Sequence, residues 1–294
     1  RAKGKLMKEF VSKDNLHTAT DKDKIRRLMA NAERLGENDL VEKCSQRLEQ
    51  LKNSSQQNKL KMNSAVSKID LTYWMGKNTY YGNMPLNKSM RTAQTNLKNY
   101  NISYDFKTCN QLIDQIYSDI AEYKLTKKDD LAIRIFDMIQ LWGGGMGIKR
   151  FYFSGTRHDL PKWLPTYTSF IEVVSEEANE QSINVQNGLE KLISIYGLGM
   201  SFATKHLKFW ANLPIFDDRI SLLMYSSKAK KVSEYLKFLD DVGDLASQSG
   251  LTILEVETSL FAFSQHYFYN DKLMLTGKNT NDTDYDIARE IAGA

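Results

Sequence analysis

The chain is predicted to be all-α, on three observations. Only four prolines (Pro85, Pro161, Pro165 and Pro214) interrupt 294 residues, so few positions break a helix. Leu, Lys, Glu, Ile and Met, which lose little freedom in a helix or pack well along one, are abundant in the remaining sequence. Apolar residues recur three and four apart through most of its length, the spacing that gathers them on one helical face.

Taken in order, Asp21–Leu35, Gly36 and Asn38–Leu51 read as a helical hairpin. Ile25, Leu28, Met29 and Ala32 share one face, and Leu40, Val41, Cys44, Leu48 and Leu51 share the other. The polar run Asn53–Asn63 has no apolar period and reads as a linker. The stretch 65–104 is ambiguous: Tyr73, Trp74, Tyr80 and Tyr81 among Gly76, Asn78, Gly82 and Asn83 suit a loop or a short hairpin. Helices are predicted over Phe106–Tyr123, Asp129–Trp142, Pro161–Glu177, Ser182–Tyr196, Lys230–Ser247 and Ile253–Phe268. The tail after Asp271 reads as disordered. The resulting division is a helical hairpin module (1–54), a linker (55–64), a main domain (65–271) and a tail (272–294).

Composition removes several function classes. Hydrophobic residues at 41% and aromatics at 11% belong to a folded protein, and a net charge of +4 is mildly basic, compatible with a polyanion partner. Two isolated cysteines, Cys44 and Cys109, with scattered histidines, cannot build a cysteine metal cluster. No apolar run approaches the roughly 20 residues that cross a bilayer, and no signal peptide is visible, so a cytoplasmic protein is expected. The chain opens on Arg1 rather than Met, which leaves targeting open. Gly143-Gly144-Gly145-Met146-Gly147 lacks the Gly-Lys-Ser/Thr of a nucleotide-binding loop, and no Gly-x-Ser-x-Gly elbow supports serine hydrolysis.

The chemistry concentrates in Leu192-Ile193-Ser194-Ile195-Tyr196-Gly197-Leu198-Gly199, followed by a helix through Ala203 and His206 and then by Pro214-Ile215-Phe216-Asp217-Asp218. Two glycines permit a tight turn and close approach of another backbone, and the next helix N-terminus presents N–H groups to an anion such as phosphate. An ordinary helical hairpin with a glycine cap would use the same residues. An aspartate opening a helix likewise serves as an N-cap whatever else it does.

In this order the elements resemble the helix–hairpin–helix DNA glycosylase superfamily, nearest to divergent bacterial branches similar to 8-oxoguanine glycosylases. Its signature is Leu-x-x-Ile-x-Gly-hydrophobic-Gly with a following alanine, then Pro-hydrophobic-hydrophobic-Asp. Gly197, Leu198, Gly199 and Ala203 match the first part, and Pro214, Ile215, Phe216 and Asp217 the second. The match is strong over Leu189–Met224 and weaker from Asp129 to Phe263.

The resemblance implies a two-lobed helical fold with an active-site cleft and an N-terminal helical hairpin appended. It implies a monomer that takes double-stranded DNA containing a modified base, flips that base out and cleaves its N-glycosidic bond, in base excision repair or in defence against phage DNA. Asp217 takes the catalytic position, with Asp218 as its rival. The bifunctional members carry a lysine nucleophile where this chain has Ser201, so either Lys205, one turn on, substitutes, or water attacks in a monofunctional reaction, the favoured reading. Gly197, Leu198, Gly199, Ser201, Thr204, Lys208 and Arg219 are expected at DNA, and Gln140, Trp142, Trp163 and Phe202 around the base. No cofactor or metal is implied, apart from a place for a monovalent cation at the hairpin carbonyls. The alternative is a helix–hairpin–helix protein that binds DNA without catalysis.

Overall fold

A computed structural model describes residues 22–46, 60–78, 84–144, 151–175, 181–228, 231–269, 272–274 and 283–293. Most of the linker, the aromatic-glycine stretch 79–83, the glycine run from 145 and the stretch 275–282 lie outside the described residues. Helices dominate, and the chain divides into two compact units, 1–61 and 62–294.

In the first unit the described residues form a helical hairpin of α1 (Lys22–Leu35) and α2 (38–46). Gly36 turns the corner at φ +72°, a left-handed conformation that glycine adopts without steric cost. Ile25, Ala32, Leu40 and Cys44 form its buried seam, with Leu28, Met29 and Val41 packed against it.

The second unit opens with a 3-10 turn, Ser64–Lys68, capped by Asn63, and a short helix α3 (Leu71–Trp74) capped by Asp70. Tyr73 and Trp74, which the sequence left between loop and hairpin, are therefore helical. Then come α4 (Lys88–Lys98), α5 (Cys109–Thr126) and α6 (Asp129–Gly143). The start of α5 lies three residues later than the apolar pattern suggests, because Thr108 and Gln111 form a reciprocal capping box there. A helical turn at 151–153 (α7) leads to α8 (Leu160–Ser175) and α9 (Gln181–Ser194). The remainder is α10 (Met200–Ala211), α11 (Asp218–Tyr225), α12 (Val232–Ser249), α13 (Ile253–Tyr267), a two-residue β-hairpin (β1 Phe268–Tyr269, β2 Lys272–Leu273) and α14 (Thr283–Ala292).

The tail expectation is overturned at α14. Ile287, Ala288 and Ile291 are buried, and the helix packs on the 64–68 turn. Trp74 Nε1 donates to Asp284 Oδ2 at 3.0 Å, and Asn63 Nδ2 to the Ile291 carbonyl at 3.5 Å. The polar spacing of residues 274–282 conceals a helix whose apolar stripe is only three residues long.

Two helices sit deepest. In α6 every residue from Ile135 to Trp142 is buried, and in α10 the same holds from Ala203 to Trp210. A helix buried all round belongs to the interior. α10 packs on α5, α6, α8 and α9, and its polar residues are satisfied there. His206 lies between Gln140 Nε2 (3.1 Å) and the Tyr167 hydroxyl (3.0 Å), and Trp210 Nε1 donates to the same hydroxyl at 2.9 Å. Burial, and then the neighbouring Lys205 charge, push His206 down to about 3, so it is a neutral member of this core network.

Candidate active site

The turn between α9 and α10 is built by two glycines with different jobs. Gly197 sits at φ +92°, where a side chain would be strained. Gly199 has an ordinary φ of −94°, and a Cβ placed on it would meet nothing within 4 Å. Internal packing therefore does not require glycine at 199. Its carbonyl accepts from the N–H groups of Phe202 (3.0 Å) and Ala203 (2.9 Å), starting α10 without any side-chain cap. The N–H groups of Gly199, Met200 and Ser201 have no acceptor among the described residues. Leu198 and Met200 are buried on either side and anchor the turn.

Asp217 is the N-cap of α11: its Oδ1 accepts from the N–H groups of Arg219 (3.0 Å) and Ile220 (3.1 Å). Capping uses one oxygen. Oδ2 takes no hydrogen bond among the described residues. The segment that delivers Asp217 is pinned from both sides. Phe216 N–H donates to Thr204 Oγ1 at 3.1 Å, and Tyr235 donates its hydroxyl to the Pro214 carbonyl at 2.9 Å. Phe216 also stacks on Phe238 with ring centroids 4.4 Å apart.

Asp217 and Lys205 line one cavity of about 80 Å³. Trp142 and Gly143 from the end of α6, Ile215 and Arg219 around Asp217, Glu257 and Phe261 from α13, and Asn78 complete the wall. Lys205 is only 7% exposed. Its Nζ donates to Ser201 O (3.2 Å) and Oγ (3.1 Å) and lies 4.6 Å from the centroid of the Phe202 ring. Burial lowers its pKa below the usual lysine value, while the carboxylates of Asp217, Glu257 and Asp218 oppose that shift. Gly143 makes the close packing possible: a Cβ there would stand 2.4 Å from the Phe202 ring and 2.9 Å from Lys205 Cδ.

Other residues expected at the site are placed elsewhere. Asp218 is exposed and pairs with Lys228 at 3.1 Å, away from the cavity wall. Thr204 and Lys208, expected at a DNA surface, are buried; Thr204 spends its hydroxyl on Ser201 O and Phe216 N. Of the four expected base-pocket residues, Trp142 lines the cavity and Phe202 flanks Lys205. Gln140 and Trp163 are core: Gln140 is committed to His206, and Trp163 packs between Phe136 and Phe151. Arg219 lines the cavity and donates to the Phe268 carbonyl at 3.4 Å. Leu198 serves packing, and Ser201 is half-buried beneath Lys205.

Sequence reasoning missed Glu257. One signal was present: an acid sharing the stripe of Leu260, Phe261 and Ser264, which otherwise points inward. Glu257 is 2% exposed, and burial pushes its carboxyl up to about 8. Among the described residues no group of His, Cys, Asp and Glu could hold a metal ion, and no helix is long and apolar enough to cross a membrane. Comparison with known proteins finds no matching family model, no matching curated protein and no matching solved structure.

Proposed function

We propose that the chain is a DNA N-glycosylase of the helix–hairpin–helix type, acting on double-stranded DNA that carries a modified base. One observation carries the reading: an aspartate with an uncommitted oxygen and a desolvated lysine line the same cavity, on the two elements that follow the Gly-Leu-Gly turn. The uncapped N–H groups of Gly199, Met200 and Ser201 supply an anchor for a backbone phosphate at the start of the helix that carries Lys205. Tyr196, 73% exposed beside them, is the side chain that presses into the duplex on this reading. The cavity then receives the extruded base, in the cleft of the two-lobed arrangement that the resemblance implies.

In the reaction the bond between C1′ and the base nitrogen breaks, and its electron pair leaves with the base. Positive charge grows on the sugar, where the Asp217 carboxylate stabilises it. Water adds to C1′ and passes a proton to Asp217. A second course is favoured by the burial of Lys205: its Nζ, once neutral, attacks C1′ in place of water and forms a covalent adduct that opens to an imine.

The test is incubation with duplexes bearing different modified bases, followed by alkali to reveal abasic sites. Base release is expected from the wild type and about 10²–10³-fold slower from Asp217→Asn, with DNA affinity retained in both. Borohydride trapping separates the two courses: a protein–DNA adduct that disappears in Lys205→Ala assigns the nucleophile to lysine, and no adduct assigns it to water. A wild-type chain that binds DNA and releases no base is the non-catalytic alternative.

A further inference from the structure

Lys205 does not take the course open to a helical lysine, whose long stem carries the ammonium outward to water. Its Nζ is folded back along α10 onto the preceding turn, where both acceptors belong to Ser201: the carbonyl at 3.2 Å and Oγ at 3.1 Å. Asp217 and Glu257 share the cavity wall with Lys205, yet it makes an ion pair with neither, and Nζ has no other hydrogen bond among the described residues. The room for this folded stem exists because Gly143 has no Cβ to meet Lys205 Cδ.

Two acceptors on one residue fix the direction of the amine as well as its place. Beyond Cε, Nζ has three tetrahedral positions, and Ser201 takes two of them as N–H donors. One position is left, on a side chain that lines the cavity. The proton lost to water from the ammonium is the one that no hydrogen bond holds, so the lone pair of the neutral amine occupies that third position. A nucleophile needs its lone pair free in this way. The same Ser201 carbonyl also accepts from Thr204 Oγ1 at 3.2 Å, and Thr204 Oγ1 accepts from the N–H of Phe216 at 3.1 Å. Phe216 immediately precedes Asp217, so lysine and aspartate are referred to one anchor.

We propose, resting on the glycosylase reading and its lysine course, that Ser201 is the positioning residue that aims the Lys205 amine into the cavity. Its hydroxyl acts through Lys205, while its N–H stays with the phosphate at the turn. The charged and titratable groups acting on or beside Lys205 are Asp217, Asp218 and Arg219 at the start of α11, Glu257 on α13, and His206 and Lys208 on α10. α6 contributes Trp142 and Gly143 to that wall. All of these remain in Ser201 variants.

Abasic DNA tests the aim without knowledge of which base is released. The neutral amine adds to the C1′ aldehyde of an abasic site, and its two protons leave with the aldehyde oxygen as water. Borohydride then delivers hydride to the resulting C=N bond, a proton comes from water, and a stable cross-link remains. The full-length chain is mixed with a duplex carrying one abasic site, and cross-linking is timed across a pH series. Wild type is expected to cross-link and Lys205→Ala is not. Ser201→Ala removes an acceptor that favours the ammonium, so the rise of cross-linking with pH should begin about one pH unit lower. Its alkaline plateau should nevertheless be about tenfold below wild type, because the amine is neutral but no longer aimed. Binding of a tetrahydrofuran duplex, which has no aldehyde, should be unchanged. Ser201→Thr restores a hydroxyl and should bring back the wild-type midpoint and most of the plateau.

An alanine variant that keeps the wild-type midpoint or plateau, one that loses affinity for the tetrahydrofuran duplex in step with its rate, or a threonine variant no better than alanine would each overturn the assignment. Wild type that releases a base yet forms no cross-link would remove the lysine course, and the role of Ser201 with it. Wild type that neither binds the tetrahydrofuran duplex nor releases any base would instead sink the glycosylase reading beneath both.

Discussion

Asp217 holds two roles in one carboxylate, and substitution separates them. Asparagine caps helices about as well as aspartate, so Asp217→Asn should unfold at the wild-type denaturant midpoint, whereas Asp217→Ala should lose about 1 kcal/mol. In base release, both should fall about 10²–10³-fold, the usual cost of removing one preorganised electrostatic group. Glu257 gives the opposite signature. Burial raises its folded pKa to about 8, above the usual glutamate value of 4.5. The folded state thus binds the proton more tightly, and the stability this provides is lost as pH rises from 4.5 to about 8. Glu257→Gln removes that loss: near pH 4 it should match wild type, and above pH 8 it should be the more stable of the two. Urea titrations at the two pH values check this.

At the scale of elements, the glycines of the turn and of the α6 terminus make separable predictions. Gly143→Ala drives a methyl into Phe202 and Lys205 and should cost about 1–3 kcal/mol. Gly197→Ala forces a side chain to φ +92° and should cost about 1–2 kcal/mol. Gly199→Ala meets open space at an ordinary φ but replaces the better N-cap residue, so stability should stay within about 1 kcal/mol of wild type. If a phosphate docks on the free N–H groups there, that stable variant should nonetheless bind duplex DNA several-fold more weakly. Thermal melts with a binding isotherm for each variant distinguish the three. Equal DNA affinity for wild type and Gly199→Ala would remove the turn from the interface.

Across the molecule, the 62–294 unit is closed by contacts between its two ends. α14 covers the 64–68 turn with Ile287, Ala288 and Ile291, and Trp74 joins Asp284 on one side and Phe263 and Tyr267 on the other. Ile291→Ala should cost about 2–3 kcal/mol by opening a buried gap. Removing the exposed ion pair of Lys68 and Glu290, 2.6 Å apart, should change stability by less than about 1 kcal/mol despite its shorter contact. The whole-chain charge of +4 is small, so a steep attraction to DNA is not expected from net charge. A grip through one hairpin and a few cations should give a log–log salt slope of about −2 to −4 in binding.

From the amino-acid sequence alone follow the helical class, the hairpin of the first unit, the position of the Gly-Leu-Gly turn and the aspartate at the mouth of the next helix. Each is written in neighbouring residues, as apolar spacing, a glycine or a cap. Asp217 and Lys205 were legible for that reason: both lie within reach of one local motif. Glu257, Gly143 and Phe261 were not, because they reach the same wall from helices far away in the chain, and only folding brings those helices together. Burial likewise turned Thr204 and Lys208 from surface candidates into interior residues and placed a lone acid of α13 on the cavity wall. Local chemistry is set by near neighbours in the chain, whereas desolvation depends on packing among distant ones.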